Sequence, residues 1–449
     1  MVTRHGIIAA GFLACAMVLG GGGSPDPASE LALQALFAFA ALAWIWWAGR
    51  TEHRVPLSLI VLGAALLLLP ALQLVPLPPS VWQALPQRDL IADTLALANG
   101  EADWQAFSIA PAVTFAAVLA LVPAIGTMWA VSSLGSDDRT LVVAVIAAMA
   151  VAGAVLGALQ LASGPEAFRL YERSHRGWLT AFHANRNAAA DVLVIGSLAA
   201  SAWLSLQLDT TDRQTNRLWF FAAVQIVLVV ALVMTGSRAG IVLGVLSLAV
   251  HFAIWRPHLA DLRIGGIAAG IGAIGLTLIA LPIVLAGNGR IARVLDRFDA
   301  RDDARVALWQ DAWRAMAGFW PMGSGVGTFS YAFQPFESLA NLDGAFVNRA
   351  HNDYMEFALE GGLLSVAVLA LGATVLLTAA RKAWRVSPRD HALQLFALGT
   401  LAVVALHSIV DYPLRNMAIA CLAGVAAGLL TPTPGQRAAR SGREGRDYA

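Results

Sequence analysis

The chain has 449 residues, of which 58% are hydrophobic and 13% charged, and its formal net charge is +1. Soluble globular proteins carry about 25% charged residues, so this composition excludes a chain whose whole surface faces water. The sequence contains repeated unbroken apolar runs of about 20 residues, the length that crosses a bilayer as a helix. Membrane β-strands would instead alternate apolar and polar residues over about ten positions. The runs therefore predict helices.

The apolar runs predict an all-α polytopic membrane protein with about twelve transmembrane helices. The first run resembles a signal peptide in position, but no clear cleavage site follows it, so we count it as a span. The predicted spans lie near 6–22, 31–48, 56–75, 112–134, 140–162, 187–207, 218–235, 239–255, 264–286, 361–380, 392–410 and 416–431. The chain then divides into spans 1–9 (residues 1–286), a long helical periplasmic segment (287–360), spans 10–12 (361–431) and a disordered basic cytoplasmic tail (432–449).

The cations of the connecting segments predict the orientation. Cytoplasmic loops carry an excess of Lys and Arg, and every inner segment is basic if the N-terminus lies inside. These inner cations are Arg50, Arg54, Arg139, Arg213, Arg217, Arg256, Arg263, Arg381, Lys382, Arg385, Arg389, Arg437, Arg440, Arg443 and Arg446. We therefore predict that both termini are cytoplasmic and that the segment 287–353 is periplasmic.

Three groups of arginines break this rule because they fall in predicted outer segments. They are Arg169, Arg173, Arg176 and Arg186 in the segment 163–186, Arg238 in the short turn 236–238, and Arg290, Arg293, Arg297, Arg301, Arg305, Arg314 and Arg349 in the segment 287–353. A guanidinium makes planar, bidentate bonds to phosphate and carboxylate. The outer arginines are therefore candidates for binding an anion, although those at 290–301 can equally pair with nearby aspartates or extend to the interface from a helix end.

The segment 304–362 has regular structure of its own. Residues 304–319 predict an amphipathic helix, with Val306, Trp309 and Trp313 on one apolar face suited to the membrane interface. Glycines follow at 323, 325 and 327, but no strand precedes them, so we reject a nucleotide-binding loop. His351 then begins a predicted helix that leads into the tenth span, with Asn352 or Asp353 as its N-cap.

Several motifs together resemble the O-antigen ligase and O-antigen polymerase superfamily of bacterial envelopes. They are HNDYMEFALEGG at 351–362 with the preceding PMGSGVGTF, Arg305 with Trp309, TGSRAG at 235–240, FHANRNAAA at 182–190 and QLVPLPPSVW at 73–82. Each motif is weak alone, but their order and their shared position at predicted outer ends make a specific combination. One departure is Ser365, where the family often has glycine.

The resemblance implies an architecture of the GT-C glycosyltransferase type in the bacterial inner membrane, with a periplasmic active site. It implies an inverting, metal-independent transfer from a polyprenyl-diphosphate-linked oligosaccharide to a hydroxyl of a glycan or of lipid A core, without a cofactor. His351 matches the family histidine that acts as base, and Arg238 and Arg305 match the family arginines that bind the diphosphate. Further candidates are Arg186 and Arg349 for the diphosphate, and Asn185, Asn187, Asn352, Asp353 and Glu356 as supporting residues.

The sequence leaves other functions open. A polysaccharide polymerase and a protein-glycosylating transferase share the same motifs. A twelve-span transporter is the alternative from another class, but transporters place ionisable residues near the midplane and often have two related halves. Here the charges within spans are few; Asp191 and His407 are the nearest candidates, and both are expected near an end. No nucleic-acid partner is indicated.

Overall fold

The computed structural model describes residues 1–22, 27–47, 55–100, 102–208, 214–258, 304–340, 346–386 and 390–437. The ninth predicted span at 264–286, the arginines at 290–301 and the tail beyond residue 437 lie outside the described residues. The same holds for five of the predicted inner arginines, Arg50, Arg54, Arg213, Arg263 and Arg389.

The described residues are mainly helical, which confirms the helical part of the fold prediction. The α-helices of the described residues are α1 (Arg4–Leu19), α2 (Pro27–Trp47), α3 (Leu57–Leu72), α4 (Pro79–Trp82), α5 (Asp89–Leu97), α6 (Pro111–Ser133), α7 (Ser136–Ser163), α8 (Arg186–Leu208), α9 (Gln214–Met234), α10 (Arg238–Trp255), α11 (Ala304–Phe319), α12 (Phe329–Phe333), α13 (Asp353–Val386), α14 (His391–His407) and α15 (Met417–Leu429). Two-residue strands β1 (Pro76–Leu77) and β2 (Gln105–Ala106) pair antiparallel within the predicted outer segment 76–111.

Eight helical segments of the described residues are long and apolar enough to cross a membrane. Three shorter apolar helices, α1, α3 and α14, coincide with further predicted spans. The short turn predicted at 236–238 lies at 235–237 in the structure, and Arg238 is the first residue of α10. The total of twelve spans stays a prediction.

The helix α8 lies at the centre of the described bundle. Its most apolar window is 89% buried, more than that of any other described span. It packs against α7, α9, α10 and α14. Alanines and glycines make this possible, since a Cβ on Gly196 would already overlap Ala150 on α7. Small residues let helices in a membrane approach closely, where van der Waals packing replaces the hydrophobic effect.

The structure groups the connecting segments at two ends of the bundle. At one end Ala184 N donates to Gly21 O at 3.0 Å, and Gln73 Nε2 donates to Glu360 O at 3.0 Å. At the other end Thr3 N donates to Asp138 Oδ1 at 2.7 Å. Segments predicted to share a side thus meet each other, and the compartment that each end faces stays a prediction.

Candidate active site

His351 lies in a strained turn just before α13. Its φ is +50°, and the helix begins two residues later at Asp353, so the prediction that His351 begins the helix is wrong. Asn352 is the residue that caps the helix, because its Oδ1 accepts a hydrogen bond from Met355 N at 3.0 Å. A non-glycine residue with positive φ is uncommon and occurs more often at functional sites. The turn leaves the His351 side chain 33% exposed.

Asp411, in the loop between α14 and α15, is hydrogen-bonded to the Nδ1 side of the His351 ring. His351 Nδ1 lies 2.9 Å from Asp411 Oδ1, although the two residues are 60 positions apart. A carboxylate only accepts hydrogen bonds, so Nδ1 carries a hydrogen, and in the neutral imidazole the lone pair is then on Nε2. Asn187 Nδ2 donates to the other carboxylate oxygen at 2.6 Å, which fixes the carboxylate plane.

The electrostatics of Asp411 favour its ionised form. Burial raises the pKa of this carboxyl, but the hydrogen bond with His351, the charge of His407 and the bond from Asn187 lower it further. The pKa of Asp411 is therefore below its ordinary value. Burial raises the pKa of the adjacent Tyr412 to about 12, so its hydroxyl stays protonated. The Tyr412 ring meets the His351 ring edge-on at 4.9 Å between centroids.

A cavity of about 220 Å³ is lined by Asp411 and Tyr412, whereas His351, Arg186, Arg238 and Arg305 are not among its lining residues. Its wall combines three arginines, three asparagines and the Asp411–Tyr412 step. The lining residues with polar side chains are Arg173, His175, Asn185, Asp191, Asn348, Arg349, Asp411, Tyr412, Arg415 and Asn416. Guanidinium and amide groups offer fixed hydrogen-bond donors, so the cavity suits a small ligand rich in oxygen atoms.

The carboxylates at the start of α13 are committed to arginines. Arg349 Nη1 lies 2.8 Å from Glu356 Oε1, and Arg415 lies 3.3 Å from the same oxygen and 2.6 Å from Glu360 Oε2. Asp353 accepts from Ser408 Oγ at 3.0 Å and lies 3.8 Å from Arg415. The predicted supporting residues Asp353 and Glu356 are therefore part of a buried network of ion pairs and hydrogen bonds.

Arg415 is the centre of this network. Burial lowers the pKa of its guanidinium, but the neighbouring Glu360, Glu356 and Asp353 raise it further, so the pKa lies above its ordinary value. The charge of Arg415 is therefore permanent. It holds one wall of the cavity in place through all three carboxylates.

The remaining predicted arginines come from three different elements. The Arg186 guanidinium lies 4.9 Å from the centre of the Trp178 ring, and a Cβ on Gly236 would overlap the same ring. Arg186 and Arg238 are the first residues of the adjacent helices α8 and α10. Helix N-termini carry partial positive charge, which adds to that of the arginines.

Arg305 reaches the site through α11. Trp309 Nε1 on this helix donates to Ala350 O at 2.9 Å, which docks α11 against the turn that carries His351. Arg305 is close enough to His407 for the two charges to interact. The helix has the predicted bounds, and the exposed side chains of Val306 and Trp313 are available to the membrane interface.

The glycine motif before His351 packs against the glycine pair after it. Gly362 interrupts α13 with φ +57° and ψ −143°, and a Cβ there would overlap the carbonyl oxygen of Pro321. A Cβ on Gly323 would lie 2.6 Å from Glu360 O. This close backbone contact joins the PMGSGVGTF and HNDYMEFALEGG motifs, and it helps to position the carboxylates at the start of α13.

Sequence reasoning missed Asp411, Tyr412 and Arg415. They belong to DYPLRN at 411–416, which the span prediction treats as a connector between the last two helices. Two opposite charges and an aromatic residue in a predicted outer connector were the available signal. Asn185 contacts this connector as well, because its Nδ2 donates to the Tyr412 hydroxyl at 3.4 Å.

The sequence of residues 222–370 matches the family model described as O-antigen ligase. This stretch is about a third of the chain, and over it the chain is similar to O-antigen ligases. This confirms the resemblance drawn from the motifs, and the matched residues include Arg238, Arg305, Arg349 and His351. Asp411 lies beyond the matched residues. No curated protein matches the chain. The O-antigen ligase match and the apolar helices together indicate a membrane protein of the glycosyltransferase type.

Proposed function

We propose that this O-antigen ligase-type protein transfers a saccharide from a polyprenyl diphosphate carrier to an acceptor hydroxyl at the outer face of the bacterial inner membrane. The observation that carries the proposal is the 2.9 Å contact between the partly exposed His351 and Asp411, which also lines a cavity with Arg173, Arg349 and Arg415. A carboxylate behind a partly exposed histidine is the arrangement of a general base.

His351 is the base in this proposal. Asp411 holds Nδ1, so Nε2 accepts the proton of the acceptor hydroxyl as that oxygen attacks the anomeric carbon. The bond from the anomeric carbon to the diphosphate breaks, and the diphosphate leaves with the bonding electrons. Attack opposite the leaving group inverts the anomeric centre. General-base help of this kind is typically worth about 10²- to 10⁴-fold in rate.

The arginines stabilise the leaving group. Arg238 and Arg305 are the principal diphosphate ligands, with Arg186 and Arg349 as further donors. Guanidinium groups stay charged at all physiological pH values and bind phosphate oxygens in a bidentate way. The developing negative charge is then stabilised without a metal ion or a cofactor. The ion pair between Arg349 and Glu356 supports a secondary role for Arg349.

The test of the base is His351→Ala in the full-length protein, reconstituted with a polyprenyl-diphosphate oligosaccharide. Donor binding and transfer are measured separately. A base predicts donor binding within about twofold of the native value and a transfer rate reduced by about 10²-fold or more. Loss of donor binding would instead make His351 a phosphate ligand, and an unchanged rate would reject the proposed mechanism.

The test of the diphosphate ligands is Arg238→Lys and Arg305→Lys, with Arg314→Lys as the matched control. Arg314 lies on the same helix as Arg305 and pairs with Asp311. Lysine keeps the charge but lacks the bidentate fork, so the first two variants should lose transfer strongly and the control should not. Near-native turnover of a Lys variant would remove that arginine from the proposed site.

The same reconstitution assigns the acceptor. With lipid A core present, transfer of the saccharide to core indicates a ligase. Growth of the lipid-linked chain in the absence of core indicates a polymerase. Labelling of added protein with the saccharide would indicate a protein-glycosylating transferase.

A further inference from the structure

Two matched pairs of side chains join α8 to the end of α14. Asn187 and Asp191 lie one helical turn apart on α8, and His407 and Asp411 have the same spacing on the other side. Asn187 Nδ2 donates to Asp411 Oδ2 at 2.6 Å, and His407 Nδ1 lies 2.6 Å from Asp191 Oδ1. The first pair belongs to the proposed mechanism, whereas the second pair has no role in it.

The second pair is fully buried directly behind Asp411. The side chains of Asp191 and His407 are each 1% exposed. His407 Nε2 lies 3.9 Å from Asp411 Oδ2, so the imidazole stands between two carboxylates. The second oxygen of Asp191 has no hydrogen-bond partner among the described residues. A buried carboxylate is expensive unless an opposite charge compensates it, and here the group in place to do so is His407.

The charge on His407 bears directly on Asp411. Two carboxylates that share one buried site cannot both stay ionised without a cation between them. An uncharged His407 would leave Asp411 facing Asp191 across a low-dielectric gap, and Asp411 would then take up a proton more easily.

We propose that His407, held by Asp191, is a positioning residue that stays protonated and keeps Asp411 ionised while Asp411 orients His351. The inference rests on the proposed function, because its effect is measured on the transfer reaction. His407 keeps its own proton throughout, and the proton of the acceptor hydroxyl goes only to His351. Other charged or titratable groups also face this set. They are Arg305 from α11, Arg349 from the turn before α13, Asp353 and Glu356 from the first turn of α13, and Tyr412 and Arg415 from the loop after α14.

The first test is the pH dependence of transfer by His407→Gln. Glutamine fills a similar volume but carries no charge. Removing a cation lets every neighbouring group hold its proton to higher pH, so the acid limb of kcat should move up by about one pH unit or more. The KM for the lipid-linked donor should change less than twofold, because His407 is behind the site and does not touch substrate.

The decisive comparison is with Asp191→Asn/His407→Gln, which removes the cation and its carboxylate together. Asp411 then faces no second carboxylate, so the acid limb should return to within a few tenths of a unit of the native position. Asp191→Asn alone removes only a negative charge and should leave the limb in place or move it down. His251→Gln is the control, since His251 is also a buried membrane histidine but bonds Ser197 and Ser201 instead.

The outcomes separate the two levels of the argument. Native protein that transfers no saccharide would overturn the proposed function and this inference with it. Three results would overturn this inference alone, provided that the native protein transfers saccharide. The first is an acid limb of kcat that does not move in His407→Gln. The others are an acid limb that stays shifted in the double variant and one that moves to higher pH in Asp191→Asn. This last result is decisive even if His407→Gln by itself fails to fold.

Discussion

Asp411→Asn tests the centre of the proposed site with one change of atom type. The native carboxylate accepts from His351 at 2.9 Å and from Asn187 at 2.6 Å, and it is only 5% exposed. Asparagine keeps the shape and can keep both contacts, but it is neutral. What is lost is the charge that stabilises the imidazolium of His351 as the acceptor proton arrives.

The size of the effect follows from the type of hydrogen bond. Hydrogen bonds to charged groups contribute about 1.5–3 kcal/mol, and each 1.36 kcal/mol in the barrier is tenfold in rate. The transfer rate of Asp411→Asn should therefore fall about 10- to 150-fold. An asparagine amide that turns its nitrogen toward His351 would also place the imidazole hydrogen on Nε2, which removes the base and lowers the rate further.

The assay is single-turnover transfer from a saturating polyprenyl-diphosphate donor to the acceptor, with donor binding measured in parallel. Asp390→Asn is the matched control, because Asp390 accepts from Gln436 Nε2 at 2.7 Å at the opposite end of the bundle. We expect unchanged donor binding in both variants and a slow step only in Asp411→Asn. A rate within threefold of native for a correctly folded Asp411→Asn would refute the His351–Asp411 mechanism.

Three further predictions concern topology, backbone and pH. Leu339 and Lys382 are both exposed, so a cysteine at either position can react with a thiol reagent. In a protein without its native cysteines, Leu339→Cys should react with an impermeant reagent added outside, and Lys382→Cys should react only after permeabilisation. The reverse pattern would invert the predicted topology. Gly362→Ala should destabilise the protein by about 1–3 kcal/mol in thermal unfolding because φ is +57°, whereas Gly372→Ala, whose Cβ would lie 3.5 Å from its nearest neighbour, should be nearly neutral. The pKa of Asp411 is lowered in the folded state. Ionised Asp411 therefore stabilises the fold fully above the ordinary aspartate pKa of about 3.9, and this stabilisation is lost as the pH falls through the lower folded pKa. Asp411→Asn should lack this part of the fall in Tm at acid pH.

The helices could be predicted from the sequence because their determinants are local. Apolar runs of spanning length gave eleven predicted spans that overlap apolar helices of the described residues. The amphipathic pattern at 304–319 predicted α11 with the bounds that the structure has. A period of 3.6 residues and a bilayer-sized length are visible in any window of the chain, whatever the rest of the fold does.

The sequence also predicted that the candidate residues share one end of the bundle. Arg186, Arg238, Arg305 and Arg349 became candidates because they lie in predicted outer segments, where the charge rule expects few cations. His351 became a candidate through the motif resemblance. The sequence did not supply the partners of these residues. Glu356 was predicted only as a supporting residue, and in the structure it is buried between Arg349 and Arg415.

Only the tertiary structure decided which residues meet at the site. Asp411 and His351 are separated by 60 positions, and His407 and Asp191 by 216. His351 precedes α13, Asp191 lies near the start of α8, and His407 and Asp411 lie at and just after the end of α14. Nothing in a local window indicates that these three helix ends come together. That choice depends on how small residues on α8 let α10 and α14 pack against it, a property of the whole bundle. Sequence patterns therefore determined the elements and the chemistry available at the predicted outer end, while helix packing determined that a carboxylate stands behind His351 and a second histidine stands behind that carboxylate.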